Sequence, residues 1–136
     1  MALRNRLFSV LLLTLLLCMP IVSGHRPAGT GPAAAVVPNL RLIRPNGGEI
    51  LFKGENTAIT WASRGIESGR IILVLYLKGV KHVVISEGRP DTGRYDWRVP
   101  VDLSPENNYR IRIRWSLHPE INDFSDADFR IADKSN

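Results

Sequence analysis

Apolar and polar residues alternate without a break over Tyr109–Trp115, which reads Tyr-Arg-Ile-Arg-Ile-Arg-Trp. Tyr109, Ile111, Ile113 and Trp115 fall on one face of an extended strand, and Arg110, Arg112 and Arg114 on the other. That period of two marks a strand with one face in a core and one in water. The same period recurs at Thr57, Ile59 and Trp61, and at Tyr95, Trp97 and Val99. Ile71–Leu77 breaks the rule: Ile-Ile-Leu-Val-Leu-Tyr-Leu is apolar on both faces. It predicts a central strand, or one whose outer face is covered by an N-terminal arm, a neighbouring strand or a partner. Its β-branched content, its shortness and the nearby Gly69 and Gly79 argue against a helix.

Shorter extended segments are predicted at Leu40–Arg44, Ile50–Phe52, Val80–Ser86 and Phe129–Ile131. Turn signals separate them at Pro45-Asn46-Gly47-Gly48, Lys53-Gly54-Glu55-Asn56 and Gly88–Gly93. Lys78-Gly79 predicts a two-residue hairpin that sets Leu77 opposite Val80, Leu75 opposite His82 and Leu73 opposite Val84. The acidic segment Asn122–Asp128 reads as a loop. Seven to eight short strands without a convincing helix predict an all-β antiparallel sandwich. A turn at Leu103–Asn108 leading into Tyr109 has the form of the tyrosine corner of Ig-like folds, so the expected class is an Ig-like or fibronectin III-like sandwich. The chain lacks the Cys-Trp-Cys pattern of antibody domains. Tyr109, Trp61, Trp97 and Trp115 sit in phase with apolar neighbours and are assigned to the core rather than to a sugar platform.

Composition changes this picture at the chain's start. Arg4 and Arg6, the apolar run Leu7–Leu17, Pro20 and Ser23-Gly24 form the pattern of a secretory signal peptide over residues 1–24, with cleavage before His25. Residues 25–39, rich in Pro, Gly and Ala, read as a flexible arm, 40–131 as the sandwich, and 132–136 as a tail. Cys18, the single cysteine, lies within the leader, so a secreted domain would be held by its core alone. The formal charge is +5. Loss of Arg4 and Arg6 leaves 16 of the 18 basic residues against 13 acidic ones, which weakens the case for nucleic acid as a partner. Neither a GPI signal nor a membrane anchor is expected after Ile131.

Candidate chemistry is sparse. No Gly-x-Ser-x-Gly, His-Glu-x-x-His or phosphate-binding glycine loop occurs, and no glycosidase carboxylate pair stands out. Asp123, Asp126, Asp128 and Asp133 lack the positioned glycine and bidentate glutamate of a calcium loop and read as a solubilising segment. His25, exposed by cleavage, would chelate copper only with a second histidine, His82 or His118, on the same surface. No cofactor is expected.

The ordered set Pro45-Asn46-Gly47-Gly48-Glu49, Ile59-Thr60-Trp61, Leu75-Tyr76 with Lys78-Gly79, Asp91–Pro100, Tyr109–Ile113 and Ser125-Asp126 before Phe129-Arg130-Ile131 resembles the Ser/Thr-rich GPI-anchored membrane family, the Kre/Knh-like fungal cell-wall synthesis N-terminal domain. The resemblance spans about Leu40 to Ile131. It implies an extracellular Ig-like sandwich associated with cell-wall organisation and β-glucan assembly; bacterial secreted proteins carry similar modules. The Ser/Thr-rich stalk of the fungal pattern is missing, and the resemblance supplies no catalytic residue. The expectation is therefore a secreted, non-catalytic module that binds cell-wall polysaccharide or a surface protein. Its candidate surface is the outer face built by Arg110, Arg112 and Arg114 with Tyr76, Val74 and Ile72. The arginines would contribute forked hydrogen bonds and stacking, or would be a solvated face whose stems shelter apolar surface. The alternatives are a protein-docking module using the apolar face of Ile71–Leu77 and, more remotely, a copper-dependent polysaccharide oxidase using His25.

Overall fold

The computed structural model describes residues 34–134. The leader expected at 1–24, and most of the arm, lie outside these residues. Nine strands form: β1 (Asn39–Arg44), β2 (Ile50–Phe52), β3 (Asn56–Arg64), β4 (Ile71–Leu77), β5 (Val80–Arg89), β6 (Arg94–Arg98), β7 (Glu106–Trp115), β8 (Asn122–Phe124) and β9 (Phe129–Ala132). They make an all-β sandwich. One sheet has three strands in the order β1-β3-β6; the other runs β2-β9-β7-β4-β5, with β8 also on β7. All pairs are antiparallel except β2 with β9, which is parallel.

The alternation along Tyr109–Trp115 explains the sandwich. β4 and β7 pair in unbroken register from Ile71 opposite Trp115 to Leu77 opposite Tyr109. Leu73, Leu75, Tyr109, Ile111 and Ile113 therefore point to one side, where they meet Leu40, Leu42, Ile59 and Trp61 of the small sheet. Tyr109 is fully buried, and its hydroxyl donates to the Ser104 carbonyl at 2.8 Å, closing the predicted corner. Burial, and then the charge of Glu106, raises the phenol pKa, so the hydroxyl remains a donor. Trp61, Trp97 and Trp115 are buried as expected. The indole N–H of Trp61 donates to Asp91 at 2.7 Å and that of Trp115 to the Ser68 carbonyl at 2.5 Å, so each ring buries its apolar body and still satisfies its donor.

Three expectations need correction. The strand count is nine because Asn122–Phe124, read as loop, pairs with Arg112–Arg114. The hairpin forms at Lys78 (φ 51°) and Gly79 (φ 78°) with Leu77 opposite Val80, but Leu75 faces Val83 and Leu73 faces Ser86. Extra residues in β5 shift the ladder, and a bulge cannot be read from alternation alone. The tail starts later than 132: Ala132 is buried and pairs with Phe52, and Asn39 already belongs to β1.

The acidic segment turns out to be a clasp. Ser125, buried, donates its hydroxyl to the Pro45 carbonyl at 2.9 Å and accepts the Ile111 N–H at 3.0 Å. The Asn46 side chain donates to Asp126 at 2.6 Å and accepts the Asp126 N–H at 2.8 Å. Asp123 accepts the Leu42 N–H at 2.8 Å, which ties β8 to the small sheet. Gly47 sits so close to Ala127 that an added Cβ would lie 2.5 Å from the alanine methyl. Two segments 80 residues apart thus lock together, and their Gly and Asn residues have structural reasons to be there.

Candidate functional site

The register of β4 and β7 sets Tyr76 beside Arg110, Val74 beside Arg112 and Ile72 beside Arg114 on the outer face of the large sheet. The neighbourhood expected from the strand parity is therefore present, but its six residues do not act as one row. Tyr76 and Arg110 open into a shallow depression of about 650 Å³ beside the β4–β5 hairpin, completed by Lys78, Asn108, Phe124 and Asp128. Arg112 turns over the Phe124 ring at 5.4 Å and donates to Asn122 at 3.2 Å. Arg114 lies with Ile72 and Val74 in a separate, smaller depression of about 270 Å³ that also takes in Lys81, Val84 and Glu87.

Val74 must be withdrawn from the binding surface. Only 5% of it is exposed, because Arg112 and Val84 flank it in register. The outer face of Ile71–Leu77 is covered by the chain's own neighbouring strands: arginine stems from β7, residues of β5, and Phe124 from β8, whose ring meets Tyr76 edge-on at 5.1 Å. A partner is not needed to shelter it.

Within the larger depression the polar groups are paired. Arg110 Nε donates to Asp128 Oδ1 at 2.5 Å, and Asn108 Nδ2 donates to Asp128 Oδ2 at 3.0 Å. These hydrogen bonds, Asn108 first and then Arg110, hold the Asp128 carboxyl below its ordinary value, so it is ionised at neutral pH. Lys78 pairs with Glu106 at 2.9 Å. Two cations meet two carboxylates, leaving a depression walled by two aromatic rings with balanced charge.

Phe124 and Asn108 were not singled out in the sequence, Asp128 was weighed there only as a calcium ligand, and Lys78 only as a turn residue. The available signal was a lone Phe at the centre of an acidic segment, in phase with Asn122. Its meaning depended on that segment returning to β7. None of Asp123, Asp126, Asp128 and Asp133 is free for a shared ion: Leu42, Asn46, Arg110 and Lys53 engage them in turn. Among the described residues no group of three His, Cys, Asp or Glu side chains is placed to hold a metal. His25 lies outside the described residues. The ring of His82 approaches Tyr109 at 6.2 Å, and that of His118 packs on Trp115 at 4.6 Å. Tyr109 and Trp115 are separated along β7 by about 20 Å at the ordinary rise per residue. The second histidine of a copper site would thus come from one end or the other, not both.

Among the described residues no helix is long and apolar enough to cross a membrane. Comparisons with family models, with curated proteins and with solved structures give no match.

Proposed function

We propose that this chain is a secreted, non-catalytic module of Ig-like type that binds glycan at a cell wall or cell surface through the depression between Tyr76 and Phe124. The observation that carries the reading is the meeting of two aromatic side chains with the Arg110–Asp128–Asn108 hydrogen-bonded group in one concave site. A mostly apolar concavity with a few convergent polar groups is the usual form of a small-ligand site. An aromatic face suits the C–H face of a sugar ring. Neighbouring donors and acceptors of fixed geometry suit a pair of ring hydroxyls. The balanced charge favours a neutral sugar, since an anion would have to displace Asp128 from Arg110. The leader pattern at 1–24 and the resemblance to the Kre/Knh-like wall domain support an extracellular site of action.

The test is titration of the secreted protein with soluble neutral β-glucan oligosaccharides, followed by ring-proton NMR. Tyr76→Ala is expected to weaken binding at least about tenfold, the loss of one contact of about 1.4 kcal/mol. Asp128→Asn is expected to weaken it as well. Unchanged affinity in both folded variants would remove the depression as the site.

A further inference from the structure

The opposite face of the sandwich carries a different arrangement of arginines. In the three-stranded sheet, Ile59 and Trp61 of β3 point inward, so Asn56, Ala58, Thr60, Ala62 and Arg64 point out. The small side chains of Ala58, Thr60 and Ala62 make the central strand a low floor. In register beside them stand Arg41 next to Ala62 and Arg44 next to Thr60 on β1, and Arg94 next to Thr60 and Arg98 next to Asn56 on β6. Arginines therefore flank the floor on both sides, and Arg64 closes one end. From Asn56 to Arg64 the strip runs about 26 Å at ~3.3 Å per residue.

Asp96 stands on the same face, in register beside Ala58 and between Arg94 and Arg98. Arg94 is held by Asp96 at 2.7 Å, and Arg44 lies 4.0 Å from Glu49. Arg41, Arg64 and Arg98 are exposed and form no ion pair among the described residues. Residues 1–33 contain no Asp or Glu that would supply one. Arg41 and Arg64 border a depression of about 410 Å³ over Ala62.

We propose that this face binds an extended anionic polysaccharide along β3, with Arg41, Arg64 and Arg98 as its principal contacts. Forked guanidinium groups match carboxylate or sulfate oxygens two at a time. The low floor lets a polymer lie close to the sheet, and the flanking rows meet charges that recur along it. A nucleic acid fits less well: no aromatic side chain stands on this strip to stack a base, and a flat sheet face has no element to enter a groove. A membrane fits less well because the large apolar side chains exposed here, Ile43 on β1 and Val37 beside the Arg41–Arg64 depression, are too few to insert. The site is separate from the Tyr76–Phe124 depression and does not depend on its assignment.

The experiment uses the full secreted chain with polygalacturonate and dextran sulfate as probes, neutral dextran as control, and vesicles containing phosphatidylserine and duplex or single-stranded DNA as competing arms. Wild type is expected to bind at least one polyanion and not dextran. Affinity should fall at least about tenfold between 0.1 and 1 M salt, as the screening length drops from about 10 to about 3 Å. The triple variant Arg41→Gln, Arg64→Gln, Arg98→Gln should lose at least about tenfold at low salt, whereas Arg130→Gln, at an exposed arginine of β9 on the other sheet, should lose none. Should the triple variant not fold, the three single variants carry the same comparison. Absence of polyanion binding, retention of wild-type affinity in the variants, equal loss with Arg130→Gln, or preference for vesicles or DNA would each overturn the proposal.

Discussion

The two outer faces of this sandwich are both rich in arginine, yet they are chemically opposite. On the large sheet the connection between β7 and β9 folds back and delivers Asn122, Phe124 and Asp128 to the strand it has just left. Arg110 is neutralised by Asp128, and Arg112 is held by the uncharged Asn122 and Phe124 side chains. Among the described residues no connection folds over the small sheet in this way, and Arg41, Arg64 and Arg98 are exposed. A count of arginines on a strand therefore says little about a free basic surface. What the nearest loop brings back decides it.

The comparison assumes that both faces stand on one core, and the largest expected effect tests that. Trp61→Ala, in the centre of the small sheet, should cost about 3–5 kcal/mol by opening a cavity. It should destabilise both faces in a single urea transition. Two separate transitions would mean that the sheets are independent.

Ser125→Ala should come next, at about 2–4 kcal/mol. It strips partners from two buried backbone groups, the Ile111 N–H and the Pro45 carbonyl, at ~1–2 kcal/mol each, the lower part of the range for a neutral group left unsatisfied. Because it loosens the clasp that presents Phe124 and Asp128, binding at the Tyr76–Phe124 depression should weaken under native conditions while polyanion binding at the small sheet persists. Equal loss at both faces would erase the distinction drawn between them.

Tyr109→Phe should cost about 1–2 kcal/mol, read from the shift in urea midpoint, since a single buried hydroxyl bond to Ser104 disappears. It should leave both faces unchanged in ligand preference.

The smallest effect on stability belongs to Asp128, whose carboxyl is partly exposed to solvent. Its pKa is depressed below the ordinary 3.8 in the folded chain, so its contribution is present above that value and fades as pH falls through the lower folded pKa. Asp128→Asn should slightly flatten the acid limb of the stability profile below about pH 4. Its sharper consequence is electrostatic: it frees Arg110 and should give the large-sheet face a salt-sensitive affinity for dextran sulfate that wild type lacks there. NMR shifts of the Arg110 side chain during that titration would report it.

The strands and the core were legible because a period of two is a direct imprint of a half-buried sheet, and Tyr109–Trp115 carries it without interruption. The pairing of Tyr76 with Arg110 followed from the same parity. The position of Val83, rather than His82, opposite Leu75 did not, because a bulge inserts a residue without altering composition. The same limit hid β8, three residues long and polar, whose strand character comes from its partner rather than from its own sequence.

The sequence by itself determined which residues face inward, that Tyr109 would close a corner, and that Ile71–Leu77 needed cover on both sides. These are local consequences of backbone geometry and apolar burial, and they hold wherever the strand is placed. Only the tertiary structure decided what provides that cover, which arginines are neutralised, and that Phe124 and Asp128 stand beside Tyr76. Such pairings depend on where a returning loop crosses a sheet, a long-range outcome set by the clasp between Pro45–Glu49 and Ser125–Asp128. Alternation along any one strand does not encode it.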